Sequence, residues 1–143
     1  MRVNDDGIEP WSAGARLETA RRAHCVVATV TGGIELGSVT ALRERLHGQV
    51  YAGAPQLVLD LSGVTFLDSA GLSMLVGLRR ILAARGGTLR LAACSPAVVG
   101  VLHLTGLVRS FAVHESLAAA EAAAEADSVP EADSVPEADA GSA

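Results

Sequence analysis

A chain of 143 residues is long enough for one domain and too short for two substantial cores. Half of its residues are apolar but only 3% are aromatic, so we expect an aliphatic core, and no apolar run approaches the roughly 20 residues that span a bilayer. The net charge is −5, and the 11 basic residues, all arginine, form no basic patch for a nucleic acid. The composition therefore argues against membrane and nucleic-acid partners, and the lack of an apolar segment near the N-terminus predicts a soluble cytoplasmic protein.

Five short segments rich in valine, threonine or leucine are predicted to be strands. In chain order they cover residues 15–22, 24–32, 56–63, 88–94 and 110–116. The second is expected to end at Gly32-Gly33. The third is apolar at consecutive positions, which favours burial on both of its faces, as in a parallel sheet.

Four helices are predicted between and after these strands. They cover residues 38–53, 69–85, 95–107 and 117–126. The first has apolar residues four positions apart and Ser38 as its expected N-cap, and the second ends at Gly86-Gly87. The third opens with a Ser-Pro pair, which is typical of a helix start. Alternating strands and helices predict a single α/β domain with a mixed, mostly parallel sheet and helices packed on it.

Both ends of the chain lack the composition of a packed domain. The hexapeptide EADSVP occupies residues 125–130 and 131–136 and begins a third time, which gives an acidic, proline-punctuated segment almost without large apolar side chains. We therefore predict a flexible N-terminus at residues 1–14, one domain at 15–126 and a disordered tail at 127–143.

The two cysteines, Cys25 and Cys94, lie inside apolar stretches and have no second cysteine or histidine at metal-binding spacing. Cysteine often behaves as a small buried hydrophobe, so both are predicted to be core residues. The chain also lacks the glycine-rich loop that cradles phosphates in nucleotide-binding proteins. The sequence predicts neither a metal site nor a cofactor.

The sequence LDSAGL, residues 67–72, places an acid and a hydroxyl where an apolar strand ends and the second helix begins. At about 100° per residue, apolar side chains fill more than half of the circumference of this helix. The rest of its surface is mostly small and begins at the serine. It comprises Ser69, Ser73, Gly77, Arg80 and Ala84. Such a smooth exposed face is suited to docking another protein.

Three roles are open to Ser69. As a cap, it or Asp68 would accept a hydrogen bond from a free N–H group of the helix. As a hydrolytic nucleophile it would need a base, but the Gly-x-Ser-x-Gly elbow is absent and the four histidines are scattered. As a phosphoacceptor it would gain a charge of about −1.5 to −2, which a helix N-terminus tolerates and a docked partner does not.

Three motifs in the same order resemble the STAS domain of bacterial anti-sigma factor antagonists. Residues 57–81 resemble the family's apolar strand, its V-x-F-[ILM]-D-S-[SAT]-G-[LI] motif and the helix that follows. Residues 30–46 resemble its L-x-G-E-[IL]-D segment and next helix, and residues 89–116 resemble its Ser-Pro helix and closing strand. The resemblance spans residues 15–125 and implies the fold of that family.

The resemblance also implies a function. In the family, the unphosphorylated antagonist binds an anti-sigma factor that is also a serine kinase and thereby frees a sigma factor. Phosphorylation of a serine, here Ser69, ends the binding, and a PP2C-type phosphatase restores it. The protein is then not an enzyme. Its expected partner-binding residues are Asp68, Ser69, Ala70, Gly71, Ser73, Gly77, Glu35 and Ser38.

Three positions depart from the family pattern, in which Gly33 would be a glutamate, Glu35 an aspartate and Thr40 commonly a proline. These differences are compatible with a distinct partner specificity. Ser73 and Thr65 are further candidates for phosphorylation. A second interpretation also stays open, in which the chain is a STAS subunit of a membrane transport system for lipids or anions.

Overall fold

The computed structural model describes residues 14–53 and 55–128, in which five strands and four helices follow one another. The strands are β1 (Arg16–Arg21), β2 (Val26–Ile34), β3 (Gln56–Leu67), β4 (Thr88–Ala92) and β5 (Ala112–His114). The helices are α1 (Leu36–Tyr51), α2 (Ser69–Ala84), α3 (Pro96–Thr105) and α4 (Leu117–Asp127), and a short 3₁₀ turn covers Leu107–Ser110. Every predicted element is present in the predicted order.

The predicted flexible N-terminus and disordered tail lie almost wholly outside the described residues. At the second boundary, α4 continues through Asp127, the first residue of the predicted tail. Within the described part of the chain, no helix combines the length and the apolarity that crossing a bilayer would require.

The five strands form one sheet in the order β1-β2-β3-β4-β5. β1 is antiparallel to β2, and the remaining neighbours are parallel, which confirms the prediction of a mixed, mostly parallel sheet. β3 is the central strand, and its residues Leu57, Val58, Leu59 and Leu61 are all buried. Successive side chains of β3 therefore enter cores on opposite faces of the sheet, as its apolar run predicts.

The two faces of the sheet carry cores of different size. The larger core joins β-strand residues such as Leu57, Leu59 and Leu61 to buried side chains of α1, α2 and α3. The smaller core lies between the other face and α4. Cys25 is buried in the smaller core, and Cys94 is half-buried against the larger one, where burial raises the pKa of its thiol to about 11.

β2 does not end at Gly32-Gly33, as the sequence predicts, but continues to Ile34. Gly32 has a φ of +89°, and a Cβ there would collide with the carbonyl of Gly14, so glycine is required at this position. The pairing register shifts twice along this part of the sheet, so that β3 accommodates two extra residues relative to β2. The glycine pair therefore accompanies an irregular stretch of strand rather than its end.

Candidate functional site

The carboxyl ends of β2 and β3 meet at one edge of the sheet, and α1 and α2 begin there. The two strands are parallel neighbours, and Ile34 at the end of β2 pairs with Leu67 at the end of β3. The Asp68 N–H donates a hydrogen bond of 3.2 Å to the Ile34 carbonyl. The sheet therefore brings the start of α1, 32 residues earlier in the chain, beside the Asp68-Ser69 pair.

Asp68 holds the two helix starts together through its carboxylate. One oxygen, Oδ1, accepts a hydrogen bond of 3.0 Å from the Gly71 N–H and so caps α2. The other, Oδ2, accepts one of 3.1 Å from the Leu36 N–H at the start of α1. The hydrogen bond from Gly71, with a smaller effect from Leu36, lowers the pKa of Asp68, so the group is ionised at neutral pH.

Ser69 is the first residue of α2, and it is exposed. Its hydroxyl has no hydrogen-bond partner among residues 14–53 and 55–128. The capping role falls to Asp68 rather than to Ser69, which decides between the two capping residues that the sequence leaves open. An exposed hydroxyl without a partner, at the positive end of a helix dipole, is accessible to a reagent and tolerant of added negative charge.

Three of the four histidines contact residues other than Ser69. His24 contacts the Ser128 hydroxyl at 2.9 Å, His114 contacts Arg90 at 3.2 Å, and His47 stacks edge-on against Tyr51. Within the described part of the chain, no histidine is hydrogen-bonded to Ser69. Among residues 14–53 and 55–128, Ser69 is therefore not paired with a histidine in the way that a serine hydrolase pairs its nucleophile with a base.

The helix face that the sequence predicts to be free is accessible. Ser69, Ser73, Arg80 and Ala84 are exposed, and Gly77 and Ala70 are half-buried. Thr65, near the end of β3, is exposed as well. Phosphorylation of Ser73 or Thr65 stays a prediction, and their exposure is compatible with it.

Two predicted partner-binding residues, Gly71 and Ser38, are buried, and both make contacts within the fold. A Cβ on Gly71 would lie 2.6 Å from the Ile34 carbonyl oxygen, so glycine is required for α2 to pack against the end of β2. Ser38 is 1% exposed and is not the N-cap of α1, since Glu35 holds that position. The Ser38 hydroxyl accepts a hydrogen bond of 3.2 Å from the Glu35 N–H and donates one of 2.8 Å to the Gly33 carbonyl.

Two apolar side chains beside this site were not among the residues predicted from the sequence. Leu36, whose N–H binds Asp68, is 76% exposed, and Phe66, two residues before Asp68, is 50% exposed. Thr65 and Phe66 are both exposed, and this break in the in–out alternation of β3 is not marked by any local signal in the sequence. We call the surface formed by Glu35, Leu36, Phe66, Asp68 and Ser69 the switch surface.

Comparisons with known proteins identify the family of this chain. The family model described as the STAS domain matches residues 16–120. The anti-sigma-B factor antagonist of Bacillus subtilis (strain 168) is 32% identical over 91 residues, which cover 64% of this chain and 83% of that protein. The crystal structure of an anti-sigma factor antagonist from Mycobacterium paratuberculosis is 27% identical, with a TM-score of 0.69, and the match covers 87% of this chain and 99% of that one.

The structure of the Bacillus cell fate determinant SpoIIAA in its phosphorylated form shares the fold. Its identity is 22% and its TM-score 0.56, over 68% of this chain and 89% of that one. The family match covers most of the described residues, including both helix starts at the switch surface. The chain belongs to the STAS domain family, and the relatives described above from Bacillus subtilis and Mycobacterium paratuberculosis are anti-sigma factor antagonists.

Proposed function

We propose that this protein is an anti-sigma factor antagonist whose switch is Ser69. In its unphosphorylated form it binds an anti-sigma factor that is also a serine kinase, and the sigma factor is released. The kinase then phosphorylates Ser69 and the complex dissociates, and a PP2C-type phosphatase restores the binding form. The observation that carries the proposal is the exposed, unpartnered Ser69 hydroxyl, which directly follows the ionised cap Asp68 on a face of small residues.

The proposed modification balances as an ordinary phosphoryl transfer. The bond between the γ-phosphorus and the bridging oxygen of ATP breaks, a bond from phosphorus to Ser69 Oγ forms, and the hydroxyl proton passes to a base of the kinase. The protein itself supplies only the acceptor. In this reaction it acts as substrate and ligand, not as an enzyme.

The charge explains why phosphorylation would change binding without unfolding the domain. A phosphate adds about −1.5 to −2 charge next to the Asp68 carboxylate. The N–H groups at the start of α2 favour negative charge, so the folded state tolerates it. A partner packed over Ser69 would have to desolvate that charge, which costs binding energy.

The decisive experiment measures labelling and binding with anti-sigma factor kinases from the source organism. Each purified kinase is incubated with the protein and ATP, and the modified residue is mapped by mass spectrometry. We expect labelling of Ser69 in the wild type, no labelling at this position in Ser69→Ala, and wild-type labelling of the control Ser128→Ala, an exposed serine just past α4 on the other face of the sheet.

Binding of the same variants completes the test. Ser69→Ala should bind the kinase persistently in the presence of ATP, whereas Ser69→Glu should bind at least about tenfold more weakly, or about 1.4 kcal/mol. Equal binding of these two variants, together with no labelling of Ser69 by any kinase, would overturn the proposed switch. Labelling of Ser69 by a fluorophosphonate would point instead to a serine hydrolase.

A further inference from the structure

Gly33 lies near the end of β2 at a position that does not require glycine. Its backbone is outside the left-handed region, unlike that of Gly32. A Cβ at Gly33 would lie 3.7 Å from Phe66 Cβ and 3.7 Å from Glu35 Oε2, which are ordinary van der Waals distances. The missing side chain therefore leaves room for about one methyl group beside Phe66 and Glu35, and we call this small depression the notch.

The notch is held in shape before any partner arrives. Gly33 pairs with Phe66 in the sheet, and its carbonyl accepts the 2.8 Å hydrogen bond from the buried Ser38 hydroxyl. The same hydroxyl accepts the Glu35 N–H at 3.2 Å. A group that enters the notch thus meets a backbone fixed on both sides, so little ordering opposes its binding.

The chemistry around the notch is apolar at the centre and acidic at the rim. Phe66 and Leu36 expose apolar surface, and the carboxylates of Glu35 and Asp68 lie beside them. Within residues 14–53 and 55–128, neither carboxylate takes part in a salt bridge. A complementary partner would present an apolar side chain to the notch and a positively charged side chain to these carboxylates.

The notch is continuous with the phosphorylation site. The Leu36 N–H binds the Asp68 carboxylate, which caps the helix that begins at Ser69. The notch lies beside Phe66, two residues before Asp68, so we expect one partner surface to cover both Ser69 and the notch.

We propose that Gly33 determines partner specificity, because the notch receives an apolar side chain of the anti-sigma factor kinase while a basic side chain of that kinase pairs with Glu35. This inference rests on the proposed function. A glutamate at position 33, which the family pattern commonly has, would cover Phe66 and place a second carboxylate beside Glu35. Glycine at this position thus selects a partner that the common pattern would exclude.

The test uses the kinase that labels Ser69 and the variants Gly33→Ala and Gly33→Glu of the full chain. We expect Gly33→Ala to weaken binding about threefold and Gly33→Glu at least about tenfold, with unchanged thermal unfolding. In the labelling reaction, Gly33→Glu should raise the KM for this protein without lowering kcat, since the notch acts on binding and not on Ser69. Gly48→Glu is the matched control: it adds the same charge to an exposed position of α1 with nothing within 4 Å, and it should bind as the wild type does.

The outcomes separate this inference from the proposed function. Wild-type binding by Gly33→Glu, with weak binding by Ser69→Glu, would overturn the notch and leave the switch intact. No labelling of Ser69 by any kinase would overturn both. If Gly33→Glu unfolds, Gly33→Ala decides: weaker binding by a folded Gly33→Ala supports the notch, and unchanged binding overturns it.

Discussion

The two faces of the sheet are covered in different ways. On one face, α1, α2 and α3 bury large aliphatic side chains such as Leu42, Leu75 and Leu102. On the other, the buried residues of α4 are two alanines, Ala120 and Ala124. An alanine removes only a methyl group from water, so apolar burial by α4 contributes far less stability than burial by the leucine-bearing helices.

Polar contacts supplement the weak apolar packing of α4. Arg90 of β4 contacts the Asp127 carboxylate at the end of the helix, and Arg22 lies 3.4 Å from Glu121. Ser128, just past the helix, contacts His24 at 2.9 Å. The switch surface lies where α1 and α2 begin, on the face held by apolar packing. High salt, which screens charges, should therefore loosen α4 before it disturbs Ser69.

The largest loss of stability should come from a substitution at Gly71, where α2 packs tightly against the end of β2. In Gly71→Ala the new Cβ would meet the backbone oxygen of Ile34 at 2.6 Å and a methyl group of Leu67 at the same distance. A backbone oxygen cannot move aside as a flexible side chain can, so we expect a loss of about 1–3 kcal/mol in the free energy of unfolding. Urea denaturation measures it.

Gly77→Ala is the matched control for that substitution. It lies on the same helix, and a Cβ there meets nothing within 4 Å. Because alanine is the better helix former, Gly77→Ala should be neutral or stabilising by up to about 1 kcal/mol. Equal destabilisation by the two variants would show that the tight contact between α2 and the end of β2 is not what makes Gly71 necessary.

Most of the fold could be predicted because its signals are local. The apolar run of β3, the leucine stripe of α1 and the Gly86-Gly87 stop of α2 each depend on neighbouring residues. The errors lie where a distant residue decides. β2 continues through Gly32-Gly33 because β3 lengthens beside it, and β3 extends to Leu67 rather than ending at residue 63.

The site was predictable in part for the same reason. The position of Ser69 at a helix start, on an exposed face of small residues, follows from periodicity, and the family motif adds its expected role. The link from Asp68 to Leu36 joins residues 32 positions apart, so periodicity could not reveal it. The exposure of Phe66 and the burial of Ser38 likewise follow from how β2, β3 and α1 meet.

A smaller loss of stability is expected from Asp127→Asn, which removes one of the polar contacts that hold α4 on the sheet. This change leaves the Arg90 guanidinium, whose side chain is 9% exposed, without its carboxylate. Because Asp127 itself is half exposed, we expect the free energy of unfolding to fall by about 1 kcal/mol, and by less at high salt. Urea denaturation gives the loss, and amide exchange should show it concentrated in α4.

The control for Asp127→Asn is Glu125→Gln, on the same helix. Glu125 lies 3.9 Å from His24 and is 66% exposed, so its removal should cost no more than about 0.5 kcal/mol. If Asp127→Asn lowers the free energy of unfolding no more than this control does, or if the loss does not depend on salt, then polar contacts are not what holds α4 on the sheet.

The smallest expected effect is on the pH dependence of stability, through His114 in β5, which contacts Arg90. Burial lowers the pKa of His114 from its usual 6.5, and the positive charge of Arg90 lowers it further. The folded protein therefore binds a proton at His114 more weakly than the unfolded chain does. As a result, the free energy of unfolding is highest above about pH 6.5 and declines as the pH falls below that value. His114→Gln should flatten the decline in the free energy of unfolding, measured by urea denaturation at a series of pH values.

His47 in α1 separates this effect from a general one. Burial, with a smaller effect of Arg43, lowers the pKa of His47 too, so its contribution has the same sign. His47→Gln should flatten the pH dependence while leaving amide exchange in α4 unchanged, whereas His114→Gln should make α4 exchange less sensitive to acid. If neither variant distinguishes α4 from the rest of the molecule, the two faces respond to pH as one unit, and the polar attachment of α4 is not a separate source of stability.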